Sequence, residues 1–300
     1  MMSMLGKKKK APPSRRSKKR LLPYLLIAPA MLLFFVFTYY PFIKTIVLSF
    51  AVTDKAGNFA KWVGISNWIR VLSKDTFWNT VSVTLRMAAV NLIFTFTIAI
   101  IFALLANRRV RWSKSYQTMY ALPMAIATSP AAAIFLFFYA QHGGLLNAIL
   151  GTDIAWVNST PYAFWSVCAM TIWQHIGTSF IFLLVGFRSV PEDLVESSIL
   201  DGAGPLYRIR HILLPLASPQ IFFVLFLNIS TSFKTFNQIK LLTSGGPADS
   251  TKTLIYYIYE NAIINGRFET ACVQAIFLFC MIFILTRIQF ATEKRMVHYQ

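Results

Sequence analysis

Leu21-Leu-Pro-Tyr-Leu-Leu-Ile-Ala-Pro-Ala-Met-Leu-Leu-Phe-Phe-Val-Phe-Thr-Tyr-Tyr40 runs for twenty residues without a charge. A helix rises about 1.5 Å per residue, so a run of this length covers the roughly 30 Å hydrocarbon core of a bilayer. Nine lysines and arginines between Lys7 and Arg20 stand directly before it. A basic flank of that kind holds its end in the cytoplasm and meets anionic lipid. The stretch therefore reads as a first membrane helix. A cleaved signal peptide is the alternative, but the apolar run is longer than a usual signal core and Ala28-Pro29-Ala30 makes a poor cleavage site.

The same pattern recurs along the chain. Of 300 residues, 56% are hydrophobic and only 13% charged, about half the charged share of a typical soluble domain. Six spans are expected, at 21–48, 82–106, 116–140, 161–186, 212–234 and 270–290. Prolines 23, 29, 41, 123 and 130 predict kinks, tolerated where neighbours satisfy the freed carbonyls. Tyr39, Tyr40, Trp112, Tyr116, Tyr139, Trp156 and Tyr162 lie near span ends, as an interfacial aromatic belt requires.

The formal net charge of +18 raises the question of nucleic acid, and its placement excludes that partner: no folded basic domain follows the tail. The charge orients the spans instead. Segments 1–20, 107–115, 187–211 and the C-terminal end hold 9, 4, 3 and 3 lysines plus arginines, whereas 49–81, 141–160 and 234–269 hold 4, 0 and 4. Both termini are therefore expected in the cytoplasm. Among the outer segments, 66–80 predicts an interfacial helix through Trp68, Ile69, Leu72 and Phe77. Residues 251–264 predict an external helix, too short to cross; a seventh span there is the alternative.

Chemistry is sparse. Cys168, Cys272 and Cys280 sit in apolar runs without disulfide or metal-ligand spacing. The four histidines, His142, His175, His211 and His298, are dispersed.

The longest inner loop, Arg188-Ser-Val-Pro-Glu-Asp-Leu-Val-Glu-Ser-Ser-Ile-Leu-Asp-Gly-Ala-Gly-Pro-Leu-Tyr-Arg-Ile-Arg-His-Ile-Leu-Leu-Pro215, predicts two short helices with a turn between them. Ser189 and Glu192 have capping-box spacing, with Pro191 in the first turn. Gly202 is placed to end the first helix in a left-handed conformation. Pro205 starts the second, with Leu206, Ile209 and Leu213 on one face and Tyr207, Arg208 and His211 elsewhere. Taken bare, this is a loop with ordinary caps.

Its spacing closely resembles the cytoplasmic coupling loop of binding-protein-dependent ABC import permeases: Glu-Ala-Ala, three residues, Gly, nine residues, Ile-x-Leu-Pro. Glu196, Gly202, Ile212, Leu214 and Pro215 stand at those positions, and Asp201-Gly202-Ala203 matches the common form. Ser197-Ser198 replaces the two alanines and keeps the surface low. The resemblance covers nearly the whole chain and narrows to carbohydrate-importing permeases of the maltose and glycerol-phosphate type. Tyr24-Leu-Leu-Ile-Ala-Pro29, Tyr40-Pro41, Ser49-Phe50, Val63-Gly-Ile-Ser-Asn-Trp68, Asp75-Thr-Phe-Trp78, Gly143-Gly-Leu-Leu-Asn147, Phe233-Lys-Thr-Phe-Asn237, Leu242-Thr-Ser-Gly-Gly-Pro247 and Ser250-Thr251 carry it. Arg267-Phe-Glu-Thr-Ala271 departs from the group's usual ending of the last external loop.

The resemblance implies an all-α integral membrane protein: a basic cytoplasmic tail over 1–20, a six-helix permease domain over 21–290 with a helix–turn–helix coupling loop at 188–215, and a cytoplasmic end at 291–300. It implies a bacterial inner-membrane subunit forming half of the path for a sugar or oligosaccharide. Its partners would be a second homologous permease, an ABC ATPase dimer, an extracytoplasmic solute-binding protein and the bilayer. Glu196, Ser197, Ser198, Asp201, Gly202, Ala203, Ile212, Leu214 and Pro215 would couple to the ATPase, Glu196 through its charge and Gly202 through turn and close approach. No cofactor is expected on this chain, and it is not expected to be an enzyme. No phosphate-binding Gly-x-x-x-x-Gly-Lys-Ser/Thr loop occurs, so ATP and Mg would be used by the ATPase.

Polar residues inside spans are the default lining of a solute path: Asn91, Gln174, His175, Asn228, Lys234, Asn237 and Gln238. Trp173, Phe233 and Phe236 could offer stacking faces for a sugar. Asn91, Gln174 and Asn228 read equally as helix-to-helix hydrogen bonds, His175 as a helix contact, and Lys234 as a side chain reaching to the outer surface. Two rivals stand beside the importer. An ion-driven secondary transporter tends to carry acids within its spans, and the eleven Asp and Glu here fall in loops and ends. A membrane-bound transferase needs clustered acids or histidines near a membrane face.

Overall fold

A computed structural model describes residues 16–54, 56–107 and 113–296. The tail through residue 15, the arginines at 108, 109 and 111, Trp112 and His298 lie outside them. The chain divides into two units, Met1–Val47 and Leu48–Gln300.

The first unit holds α1 (Arg16–Phe34), a π-helical turn (Phe35–Tyr39) and most of α2 (Tyr40–Ser49). Together they give a continuous span from Pro23 to Ser49. Leu25, Leu26 and Phe37 are 70–73% exposed, as on a helix that is apolar all round. The π turn is the local answer to Pro41. Proline lacks an N–H, and its ring presses on the carbonyl four residues back. The wider turn, with the Tyr40 N–H donating to the Phe35 carbonyl, carries the helix past it without a break.

The second unit opens on a hairpin that the all-α expectation lacks: β1 (Ala51–Thr53) pairs antiparallel with β2 (Phe59–Trp62), Ala51 opposite Trp62. Next come α3 (Ser66–Leu72), α4 (Asp75–Ala106), α5 (Ser113–Ala121), a 3-10 turn (Leu122–Ala125), α6 (Thr128–Phe138), α7 (Leu145–Leu150) and α8 (Tyr162–Arg188). The loop over 188–215 supplies α9 (Glu192–Leu200), α10 (Pro205–Arg208), a π turn (Ile209–Leu213) and α11 (Leu214–Leu216). After it come α12 (Ser218–Ser232), α13 (Asn237–Leu242), α14 (Leu254–Tyr259) with a π turn (Glu260–Ile264), and α15 (Phe268–Met296).

Among the described residues, four helical spans are long and apolar enough to cross a membrane, and six when two bent pairs each count as one. The first bend falls where Pro123 predicts a kink and breaks the span into a pair; the second corrects the fifth span, expected without a break. The third span breaks between Ala125 and Thr128 by 101°, because Pro123 tightens the turn and Ile126 and Ala127 are extended. The fifth bends by 74° at Ala217, leaving α12 only 15 residues. The interfacial helix expected over 66–80 is likewise two pieces. Lys74 is extended, Asp75 opens the 32-residue α4, and Phe77 is fully buried. Residues 254–264 are helical as expected and no seventh span forms there.

α8 is the most buried of the long helices, with α4 and α12 packed on it and on each other. Lipid offers no hydrophobic drive for helix association, so close approach depends on small residues. Ala99, Ala103 and Ala106 on α4 lie in one cluster with Phe180, Leu183 and Phe187 on α8. A Cβ at Gly186 would fall 2.6 Å from Gln220 Cβ, and one at Gly177 would fall 3.1 Å from the Ala121 carbonyl oxygen. The two glycines let α12 and α5 close on α8.

Candidate functional site

The loop over 188–215 is built by consecutive caps. Ser189 finishes α8: its N–H donates to the Val185 carbonyl at 3.0 Å and its hydroxyl to the Gly186 carbonyl at 2.8 Å. It is therefore spent on the preceding helix, and the expected capping box with Glu192 does not form. Pro191 is the N-cap of α9 rather than part of its first turn. Glu192 and Asp193 occupy that turn, where the helix dipole favours anions.

α9 ends as expected at Gly202, whose φ is 79°. The Ala203 N–H reaches the Ser198 carbonyl at 2.9 Å and the Gly202 N–H the Ile199 carbonyl at 3.0 Å, the paired bonds of a Schellman motif. A Cβ on Gly202 would meet nothing within 4 Å. The glycine is required by its backbone conformation, and the space above it is open. Ser197 and Ser198 turn their hydroxyls back to the Leu194 and Val195 carbonyls, so they present a low surface.

Pro205 begins α10, as expected, and the π turn before Pro215 repeats the device seen at Pro41: the Leu214 N–H donates to the Ile209 carbonyl. Leu213 and Leu214 pack with Ala217 beneath α8. Leu206, expected on one face with Ile209 and Leu213, is 78% exposed, and Leu200 is 88% exposed. The loop thus shows bare leucines at its turn, backed by Tyr207 stacked on His211 at 4.2 Å.

Two cavities flank the loop. One of about 600 Å³ is lined by Ser197, Ser198, Asp201, Gly202, Ala203 and Ile212, which brings six of the nine expected coupling residues together. Glu196 faces the other, of about 1480 Å³. Leu214 and Pro215 line neither.

The expected solute-path residues scatter. Gln238 donates to Gln174 at 2.9 Å, joining α13 to α8. Trp173 and Phe236 pack against the same core cluster. Trp173 stands 5.4 Å from Phe135 and Phe236 5.0 Å from Tyr259. Asn228 bonds Ser179 at 3.0 Å and the Val224 carbonyl at 2.9 Å, a link between α12 and α8. Phe233 is buried in a different cluster, while Lys234 and Asn237 are exposed. Asn91 is fully buried with neither amide atom hydrogen-bonded among the described residues, and Thr95, one turn on, is in the same state. Thr95 and Gln274 were not among the candidates. Gln274, 1% exposed, accepts from Asn261 at 3.2 Å; its position as a polar residue inside an apolar span was the signal.

Between α13 and α14, Lys252 lies between Asp249 at 2.9 Å and Glu260 at 2.8 Å. Burial lowers its pKa, but the hydrogen bonds and charges of the two carboxylates outweigh this and raise it. The clamp closes a loop in which Ser244, Ala248 and Asp249 have positive φ. Glu269, in the stretch that departs from the resemblance, accepts from Thr53 at 2.7 Å and pairs with Arg70 at 3.5 Å, tying the hairpin to α15.

Comparison with known proteins places this geometry. Residues 95–298 match the family described as binding-protein-dependent transport system inner membrane component. The chain is 32% identical over 281 residues to the sn-glycerol-3-phosphate transport system permease protein UgpA of Agrobacterium fabrum, covering 92% of this chain and 96% of that one. Against the same-named protein of Escherichia coli strain UTI89 it is 32% identical over 286 residues, covering 93% and 96%. In fold it is similar to a chain of a bacterial ABC transporter that imports the acidic polysaccharide alginate, with TM-score 0.84 at 22% identity, covering 95% of this chain and 99% of that one. The alginate transporter in complex with its pentasaccharide-bound periplasmic protein gives TM-score 0.82 at 22% identity, over 94% and 96%. The chain belongs to the family of inner membrane components of binding-protein-dependent transport systems.

Proposed function

We propose that this chain forms half of the path of an ATP-driven importer for a sugar or a polyol phosphate and couples to the ATPase through the loop 188–215. Family membership removes the ion-driven transporter and the transferase as readings. The finer reading rests on one observation: α9 ends in a Schellman motif whose bare leucines and open Gly202 surface face outward from the loop. Exposed apolar side chains beside a low surface suit insertion into a cleft of a partner. A second permease, an ATPase dimer that binds ATP and Mg, and an external solute-binding protein complete the assembly, with both termini in the cytoplasm. The polyol-phosphate class is supported by the 32% identity to the glycerol-phosphate permeases over nearly their whole length. In the cycle, closure of the ATPase pair drags the loop as a rigid body, a common form of switching.

The turn supplies the test. Gly202→Val forces a β-branched residue into a positive φ, whereas Gly202→Asn keeps a residue that tolerates it. Gly202→Val should insert normally and lose solute uptake by tenfold or more in vesicles holding the whole transporter, and Gly202→Asn should lose much less. Normal uptake by Gly202→Val would overturn the assignment.

A further inference from the structure

We propose that the larger cavity behind the coupling loop is a binding site for an anionic phospholipid, headgroup inward. The cavity, of about 1480 Å³, opens where α4, α5 and α8 end beside the loop. Lys114, Arg188 and Arg208 line it, and among the described residues none of the three makes an ion pair. Arg208 carries the sharper sign: its Nε is buried with no hydrogen-bond partner among the described residues. A buried guanidinium nitrogen without an acceptor is costly, and a phosphate oxygen is the acceptor its fork geometry fits.

Glu192 and Glu196 also face the cavity, so among the described residues the balance is three cations against two carboxylates. Glu192 is already engaged in an interaction of its own, which leaves the cations in excess.

The apolar wall distinguishes a lipid from a soluble anion. Ile101, Leu104 and Leu105 of α4 line the cavity. Ile101 and Leu105 are 49% and 47% exposed, on a helix long and apolar enough to cross the membrane. A phosphate held by the three cations would leave a glycerol backbone and acyl chain to run along that wall. Basic pockets at the membrane face between spans have this chemistry. The site lies on the opposite side of α9 from the cavity around Gly202, so lipid and ATPase would approach the loop from different faces.

The test uses the intact transporter, extracted in mild detergent and exchanged into nanodiscs of phosphatidylcholine and phosphatidylglycerol in equal parts. Native mass spectrometry of the released complex should find phosphatidylglycerol retained at least threefold over phosphatidylcholine. Arg208→Gln and Arg188→Gln should each cut that excess by threefold or more, while Lys61→Gln in the outer hairpin leaves it unchanged. Arg188 is exposed at a helix end, so its variant stands if Arg208→Gln does not assemble. Millimolar inorganic phosphate or glycerol phosphate should not displace the lipid. Equal retention of the two lipids, retention insensitive to both arginine variants, or displacement by a soluble phosphate each overturns the proposal.

Discussion

Asn91 is the residue whose environment asks most of the fold. Its amide is fully buried in α4 and, among the described residues, both its polar atoms and the Thr95 hydroxyl beside it are unpaired. Leaving a buried polar group unsatisfied costs about 1–3 kcal/mol. Asn91→Leu replaces it with an apolar side chain of similar size and should stabilise the chain by about that amount, read as a higher melting temperature of the purified protein. A melting temperature that stays level or falls would mean that a group beyond this chain, a solute or water, satisfies the amide. Asn228 provides the contrast. It was an equal candidate on sequence, yet its amide is satisfied by Ser179 and Val224. Both are asparagines in apolar runs; only the neighbouring helix distinguishes them.

At the scale of elements, helix packing turns on small residues rather than on apolar area, because lipid solvates leucine as well as protein does. Gly186 is the tightest such point between α8 and α12, since the atom 2.6 Å from an added methyl is the Cβ of Gln220 and cannot swing aside. Gly186→Ala should therefore push the two helices apart and cost about 1–3 kcal/mol, seen as a lower melting temperature and reduced yield of folded protein. Gly204, around which a Cβ would meet nothing, is the control whose substitution by alanine leaves stability in place. The prolines work at the same scale. Pro41 and Pro215 each follow a π turn that carries the helix onward, whereas Pro123 sits in a 3-10 turn at a true break. Sequence marks Pro41 and Pro123 as kink sites, but not which device absorbs each, and Pro215 reads there only as part of the loop.

For the molecule as a whole, a loop over 188–215 with two bare leucines is a surface that suits the proposed partner. Extraction from native membranes in mild detergent should recover this chain with a second permease and an ATPase, and ATP hydrolysis should travel with it. Recovery as a stable monomer without ATPase would count against the assembly.

The sequence alone determined that the chain is a multi-span membrane protein, because a bilayer demands some twenty apolar residues per crossing and that demand is local. It also determined the end of α9 at the left-handed Gly202, because a helix cap is set by residues within one turn of it. Only the tertiary structure decided that the third and fifth spans are bent pairs, that a hairpin precedes α3, and that Ser189 caps α8 instead of α9. It likewise separated the satisfied Asn228 from the orphaned Asn91 and gathered Lys114, Arg188 and Arg208 around one cavity. The last two depend on what lies alongside, tens of residues away in the chain: Asn228 meets Ser179 across helices, and the three cations come from three elements.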